Sequence, residues 1–401
     1  MREKSNYEGI LTGTKQLGPY PMEKLKQVGQ PTTKITDNIQ RIDMRERGFD
    51  RALRGDFGSV AKRYMLKGKE PIGLSMWEMT DSFTDKVDGD VASSKAPIPD
   101  DPVILSRHIK RLGYFFGADI VGISELPQWA VCSHDEHGKP IDLYHQFAIS
   151  LVVDQDFRTM NASTGRDWVP EAQAMRSYVL AGLMACMMAN YIRKLGFPAR
   201  AHHLMREDVV MTPLFLLAGL GEVSRHGLVL NPFLGIRSKM AVVTTDLSLL
   251  PDKPVDFGLQ KFCQQCRKCA VECPSQAIPH GDKVMHNGYE TWKIDVDRCT
   301  KFRVTNPYGV SCGRCIRVCP WNKPRGWVHD GARWMVEHTP WMDKFLIKMD
   351  DVWGYGKERK KDKWWFDLED GNWHDLENLN VILRTPAEIS RERERAALGK
   401  K

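Results

Sequence analysis

No stretch of this 401-residue chain is long and apolar enough to read as a membrane helix. The longest uncharged apolar segment, Tyr178 to Ile192, has 15 residues, is interrupted by Asn190 and is bounded by Arg176 and Arg193. A helix needs roughly 20 to cross the hydrocarbon core. The opening "MREKSNYEGILTGTKQLG" lacks both an apolar h-region and a twin-arginine pair, so taken alone it points to the cytoplasm. A dinucleotide fingerprint is also missing. In "AGLGEVSRHG" (218–227) Gly219 and Gly221 lack the third glycine of G-x-G-x-x-G, which argues against a Rossmann site. No nucleic-acid module is recognisable. The net charge of +7 is mild and interspersed except at "KERKKDK" (357–363), which reads as a solvated face, with an acidic partner or an anionic membrane as the alternative.

What the chain does have is cysteine in a pattern. "FCQQCRKCAVECP" (262–274) spaces four of the ten cysteines C-x2-C-x2-C-x3-C-P, and "CTKFRVTNPYGVSCGRCIRVCPW" (299–321) repeats it as C-x12-C-x2-C-x3-C-P. Each iron of a cubane needs one thiolate, and a loop with two residues between ligands wraps only one face, so the fourth thiolate comes from elsewhere. In two-cluster ferredoxins the cysteine before proline ligates the other cluster. Carried over, Cys263, Cys266, Cys269 and Cys319 would hold one [4Fe–4S] cluster, and Cys299, Cys312, Cys315 and Cys273 a second. Zinc and disulfides compete, but neither accounts for the x2, x2, x3 run before proline occurring twice. Of the remaining two, Cys186 sits in an apolar run and reads as a small buried hydrophobe, while Cys132 is uninformative.

A two-cluster unit occupies only about 256–325, leaving material for a larger domain. Residues 1–102, rich in Gly, Pro and charge and ending in "SSKAPIPDDP", read as an arm wrapping the core. From 103 to 255 helical and strand patterns alternate, an α/β layered core, and 326–401 form an aromatic-rich extension packing on it. "HIKRLGYFFGAD" (108–119) and "YIRKLGFPARAH" (191–202) look like one unit used twice: a basic helix end, a Leu-Gly stop and an aromatic-led strand. A duplicated half and a reused connector both remain open. A helix beginning near Glu171 carries Tyr178, Gly182, Ala185, Ala189 and Ile192 on one stripe, which suits close helix packing or, at Gly182 and Ala185, a flat cofactor.

Together "FCQQCRKCAVECPSQAI", the second motif ending "CPWNK", "TDLSLLPDKPVDFG" (245–258), "AGLGEVSR" and "MDDVWGYGK" (349–357) resemble the catalytic subunit of the corrinoid-dependent reductive dehalogenases, over most of residues 40–365. "RIDMRERGFDRALRG" resembles the start of the mature form of that family, after removal of a twin-arginine signal. The resemblance implies an α+β protein: a nitroreductase-like core holding a base-off corrinoid beside a two-cluster ferredoxin-like domain. The chain has no D-x-H-x-x-G, the usual source of a cobalt-ligating histidine; "DEHGKP" (135–140) has the wrong spacing, and His137 reads as a loop residue.

The resemblance further implies Tyr178 as proton donor with Arg237 as the cation beside it, and His203 or Arg206 as assisting residues. Phe302 and Tyr308, in the insert between Cys299 and Cys312, would line a substrate channel unless that insert is a plain surface loop. It also implies a small organohalide substrate, with a chlorinated methane or ethane expected from chain length. An anaerobic respiratory electron donor, a small membrane-anchoring subunit and a place on the outer face of the cytoplasmic membrane follow by the same analogy. An epoxyqueuosine reductase, which shares the corrinoid and both clusters, is the alternative, and a non-catalytic electron carrier is the third.

Overall fold

The structure, a computed structural model, describes residues 21–67, 70–306, 311–366 and 368. Its centre is a sheet of β1 (Ile120–Glu125), β2 (Phe147–Asp154), β3 (Ala199–His202) and, after the short ribbon of β4 (Glu222–Val223) and β5 (Val229–Leu230), β6 (Ser238–Thr245). The order is β1-β2-β6-β3 and every pairing is antiparallel. Alternate residues point to opposite faces of a strand, and here both faces are buried. Val121, Ile123, Ile149, Leu151, Ala241 and Val243 pack under the helices on one side. Ala148 and Val242, with Leu214 from helix Met211–Leu217, form part of the other.

The helices on the first face are Pro102–Phe116 and Val169–Lys194. Pro102–Phe116 starts where its sequence dictates: the Asp101 carboxylate accepts the N–H of Val103 at 2.8 Å, and proline opens the first turn. Its end differs from the Leu-Gly stop read at Gly113. The helix runs through Gly113 and stops at Gly117, whose φ of +106° is the left-handed conformation. Gly113 is there for contact, since a Cβ would lie 2.7 Å from Val121 Cγ2 and 3.0 Å from Leu151 Cδ2. Tyr114 to Phe116 therefore end a helix rather than open a strand. In the second unit Gly196, at φ +89°, follows Leu195 just past the helix end, and β3 begins at Ala199.

The long helix Val169–Lys194 begins with Pro170 in its first turn and lays its small residues on the sheet. Gly182 and Ala185 are both buried there by protein: a Cβ on Gly182 would meet His203 Cβ at 3.3 Å, and Ala185 joins the core with Ala181 and Ala189. Close packing therefore accounts for the stripe at those two positions.

The described part of the arm carries helices that pack on both the core and the cysteine-rich part of the molecule. Helix Pro71–Asp81 packs along Val169–Lys194, while Gly48–Arg54 and Ser59–Lys67 pack on helix Val296–Thr305. Gly48 makes the latter contact possible, because a Cβ would lie 2.3 Å from Thr300 Oγ1. The cysteine-rich unit adds helices Leu259–Gln265, Lys268–Val271 and Arg314–Val318 and the ribbon of β7 (Val284–His286) and β8 (Tyr289–Thr291). Helices Trp327–His338 and Asp343–Val352 follow and lean on Leu259–Gln265. Among the described residues no helix is long and apolar enough to cross a membrane.

Candidate active site

The eight motif cysteines fall into two groups. Cys263 lies in helix Leu259–Gln265, Cys266 caps its end, Cys269 follows in Lys268–Val271, and Cys319 arrives from the end of Arg314–Val318. All four are 5–7% exposed, as is Cys273, whereas Cys299, Cys312 and Cys315 are partly exposed. The thiols feel one another in the crossed pattern. Burial and then the Cys263 and Cys266 thiols push Cys319 up. Burial pushes Cys299 and Cys315 up, and both also feel Cys312 and Cys273. Cys269 and Cys315 interact across the two groups, so the groups adjoin.

Cys273 differs. Burial would raise it, but hydrogen bonds from Ser275 and from the backbone N–H of Ala277, Ile278 and Ser275 outweigh burial and hold the thiol below its ordinary value. Thiols pushed up in a buried site ionise when a metal takes the proton's place. Among the described residues no three His, Cys, Asp or Glu side chains converge closely enough to hold one ion. The thiolates of a cubane each bind a different iron and stand further apart than the ligands of one tetrahedral zinc.

The motif "AGLGEVSRHG" has a mechanical role. Gly221 passes so close to β5 that a Cβ would lie 2.1 Å from the Leu230 carbonyl oxygen. That approach places Glu222, fully buried, where it accepts the N–H of Phe257 at 2.9 Å and of Leu259 at 3.3 Å, at the start of the helix bearing Cys263. Arg225, also fully buried, donates from Nε at 3.0 Å and Nη2 at 2.9 Å to the Cys263 carbonyl, and from Nη1 to the carbonyls of Pro279 and Gly281. His226 Nε2 lies 3.2 Å from the Cys315 carbonyl oxygen. One loop of the core thus holds both thiol groups. In the sequence this stretch stands out only as a glycine pair without the third glycine of a dinucleotide fingerprint and as part of the family-like motif.

Tyr178 sits half-buried on Val169–Lys194, and the cation at its ring is Lys239, at the start of β6, with Nζ 5.0 Å from the centroid. Arg237 does something else. It is 4% exposed, its Nε is 2.9 Å from Asp154 Oδ1, and its Nη1 donates to Asn322 Oδ1 and the Lys323 carbonyl, each at 3.2 Å. It ties β2 to the segment that follows Cys319.

Around this tie several buried polar atoms have no partner among the described residues: Gln155 Oε1, Gln173 Oε1, Asn322 Nδ2 and Ser163 Oγ. Gln155 N–H donates to the Arg237 carbonyl and Gln173 Nε2 to that of Asp156, while the turn at Gly313 runs against Ser163 Oγ. A corrin ring is rimmed with amides, which both donate and accept, so this set of acceptors and donors between core and cluster unit fits one.

The remaining expected residues are spread out. His203 is 1% exposed against Gly182, one helical turn beyond Tyr178, and burial, aided by the cations Arg206 and Arg200, brings it down to about 4 against a hydrogen bond to the Phe83 backbone. Arg206 turns to Glu136 at 2.8 Å and lines a cleft of about 500 Å³ that shares no lining residue with the Arg237 junction. Phe302 lies in Val296–Thr305, because the first part of the insert after Cys299 is helical rather than loop. Tyr308 lies outside the described residues. Cys132 and Cys186 are buried thiols pushed up to about 12 and about 11 by desolvation.

The family model of a 4Fe-4S dicluster domain matches residues 262–323. The tetrachloroethene reductive dehalogenase of Sulfurospirillum multivorans is 30% identical over 310 residues, covering 68% of this chain and 61% of that protein. The catabolic reductive dehalogenase NpRdhA, solved with 3-bromo-4-hydroxybenzoic acid, superposes with a TM-score of 0.84 at 42% identity, over 89% of this chain and 52% of its own. A further reductive dehalogenase structure, described as bearing on B12-dependent dehalogenation, superposes at 0.83 with 42% identity over the same shares. The chain spans 61% of the first of these relatives and 52% of the other two. By sequence and by fold it is a homologue of the reductive dehalogenases.

Proposed function

We propose that this chain carries out reductive dehalogenation, in which two electrons and one proton convert a carbon–halogen bond into a carbon–hydrogen bond and a halide ion. The observation that carries the reading is the cysteine-rich unit held by Glu222, Arg225 and His226 against a core that presents a half-buried phenol beneath an ammonium. When bound, the corrinoid would supply the low-potential metal at which the carbon–halogen bond is cleaved. The residues that would hold it lie between β2, the start of Val169–Lys194 and Asn322. Two [4Fe–4S] clusters would deliver electrons one at a time, and the exposure of Cys299, Cys312 and Cys315 favours entry at their cluster.

Tyr178 would donate the proton. A phenol of ordinary pKa, about 10, gives up its proton readily only if the phenolate is stabilised, and Lys239 takes the role first assigned to Arg237. Tyr178→Phe keeps the ring, so cofactors should load normally while halide release falls by about 10²- to 10⁴-fold, the usual cost of losing a positioned acid. Lys239→Gln should load normally and lose less. Arg237→Ala should instead lose cofactor, because it unties Asp154 from Asn322. Wild-type turnover in a fully loaded Tyr178→Phe enzyme would remove Tyr178 from the mechanism.

A halide-release screen with chloroform, a trichloroethane, tetrachloroethene and 3-bromo-4-hydroxybenzoic acid tests the substrate. The chlorinated-alkane expectation requires the first two to turn over fastest. Epoxyqueuosine turnover without halide release would replace the reading. The same reading implies an exported enzyme peripheral to the cytoplasmic membrane, with a small anchoring subunit and a respiratory donor. Cell fractionation with co-purification tests that part.

A further inference from the structure

The motif "MDDVWGYGK" (349–357) has no part in the chemistry above, yet it lies against the cysteine unit. Asp350, 5% exposed near the end of Asp343–Val352, places one carboxylate oxygen 2.5 Å from Lys268 Nζ and the other 2.8 Å from Lys323 Nζ. Lys268 stands between Cys266 and Cys269, and Lys323 follows Cys319. One carboxylate therefore gathers two ammonium groups from the two separate segments that supply a single group of four thiols. The rest of the motif fixes the arrangement. Lys323 Nζ lies 4.3 Å from the centroid of the Tyr355 ring, whose hydroxyl is 2.9 Å from His329 Nε2. Gly356 lies so close to Val318 that a Cβ would come within 3.1 Å of its Cα. Asp351 also reaches Lys268, at 2.6 Å, but is 63% exposed and screened by water. The balance facing the thiols is two ammonium groups, Lys323 buried and Lys268 half-buried, to the one buried carboxylate of Asp350.

We infer that Lys268 and Lys323, with Asp350 as their positioning residue, raise the reduction potential of the cluster held by Cys263, Cys266, Cys269 and Cys319 independently of the other cluster. An arriving electron adds negative charge, and a buried cation beside the cluster favours that state. Burial lowers the Lys323 ammonium from its ordinary value, against the pull of the Asp350 carboxylate 2.8 Å away. The inference rests on the proposed function only in requiring that both clusters be present.

The test is a redox titration of the anaerobically reconstituted full chain followed by electron paramagnetic resonance, with the two signals assigned through Cys266→Ser and Cys312→Ser. Lys323→Gln and Lys268→Gln should each lower the reduced-to-oxidised ratio of the Cys266-containing cluster at fixed potential by about tenfold, about 59 mV for one electron. The other cluster should not move, and Lys323→Arg should restore the wild-type value. Iron-replete glutamine variants with both potentials unchanged, or with both shifted equally, would overturn the inference. If Lys323→Gln fails to retain iron, Lys268→Gln, at a side chain 13% exposed, decides by the same criterion. Shifted potentials without halide release would sink the dehalogenase reading and leave this one standing; unmoved potentials in a halide-releasing enzyme would do the reverse.

Discussion

Two cations two residues apart divide the labour at the start of β6. Arg237 sits where its planar fork can reach Asp154, Asn322 and a carbonyl at once, a geometry a lysine cannot reproduce. Lys239 carries a single point charge on a flexible stem and meets an aromatic face. His203, buried against Gly182 and Phe83, is brought down to about 4 by desolvation, against a hydrogen bond to the Phe83 backbone. The sign of its contribution to stability follows. Between about 6.5 and about 4 the unfolded chain binds a proton that the folded chain refuses, so stability is lost as pH falls through that window and is unaffected by this group above it. His203→Gln should flatten that part of the dependence of melting temperature on pH. An unchanged slope would mean that His203 titrates normally.

Among the elements, the joint between β4 and helix Leu259–Gln265 ties the cysteine unit to the core. Glu222 accepts two backbone N–H groups there while its own charge is buried, and desolvation pushes its carboxyl up against those bonds. Glu222→Ala would leave both N–H groups without their partner, at a cost of about 1–3 kcal/mol for each buried donor left unpaired. The expected result is a lower melting temperature and loss of iron from the Cys263 group first, read by iron analysis together with resonance signals of the two clusters. Retention of full iron and wild-type stability would show that Arg225 alone suffices as the grip.

At the scale of the whole molecule the proposed function has each cluster draw one ligand from the other motif. Reconstituted protein should contain about eight irons per chain, from two cubanes. Cys273→Ser should damage the cluster of Cys299, Cys312 and Cys315 more than the one beside it in sequence, because Cys273 acts on those thiols. Loss of only the Cys263-containing signal would refute the crossed assignment.

Local chemistry made part of this readable from the chain alone. Cysteine spacing set the cluster type, since ligand reach within a short loop depends only on nearby residues. Asp101 and Pro102 set a helix start, and among the described residues no helix is long and apolar enough to cross a membrane. The antiparallel order β1-β2-β6-β3 was not readable, because strands separated by long helices can pair in either direction. Nor was the fact that Gly113 answers to Val121 instead of a helix end, that Lys239 rather than Arg237 meets Tyr178, or that Asp350 reaches two lysines near different cysteines. Those outcomes depend on which distant segments the packed sheet brings within a few ångströms, and sequence proximity carries no information about that.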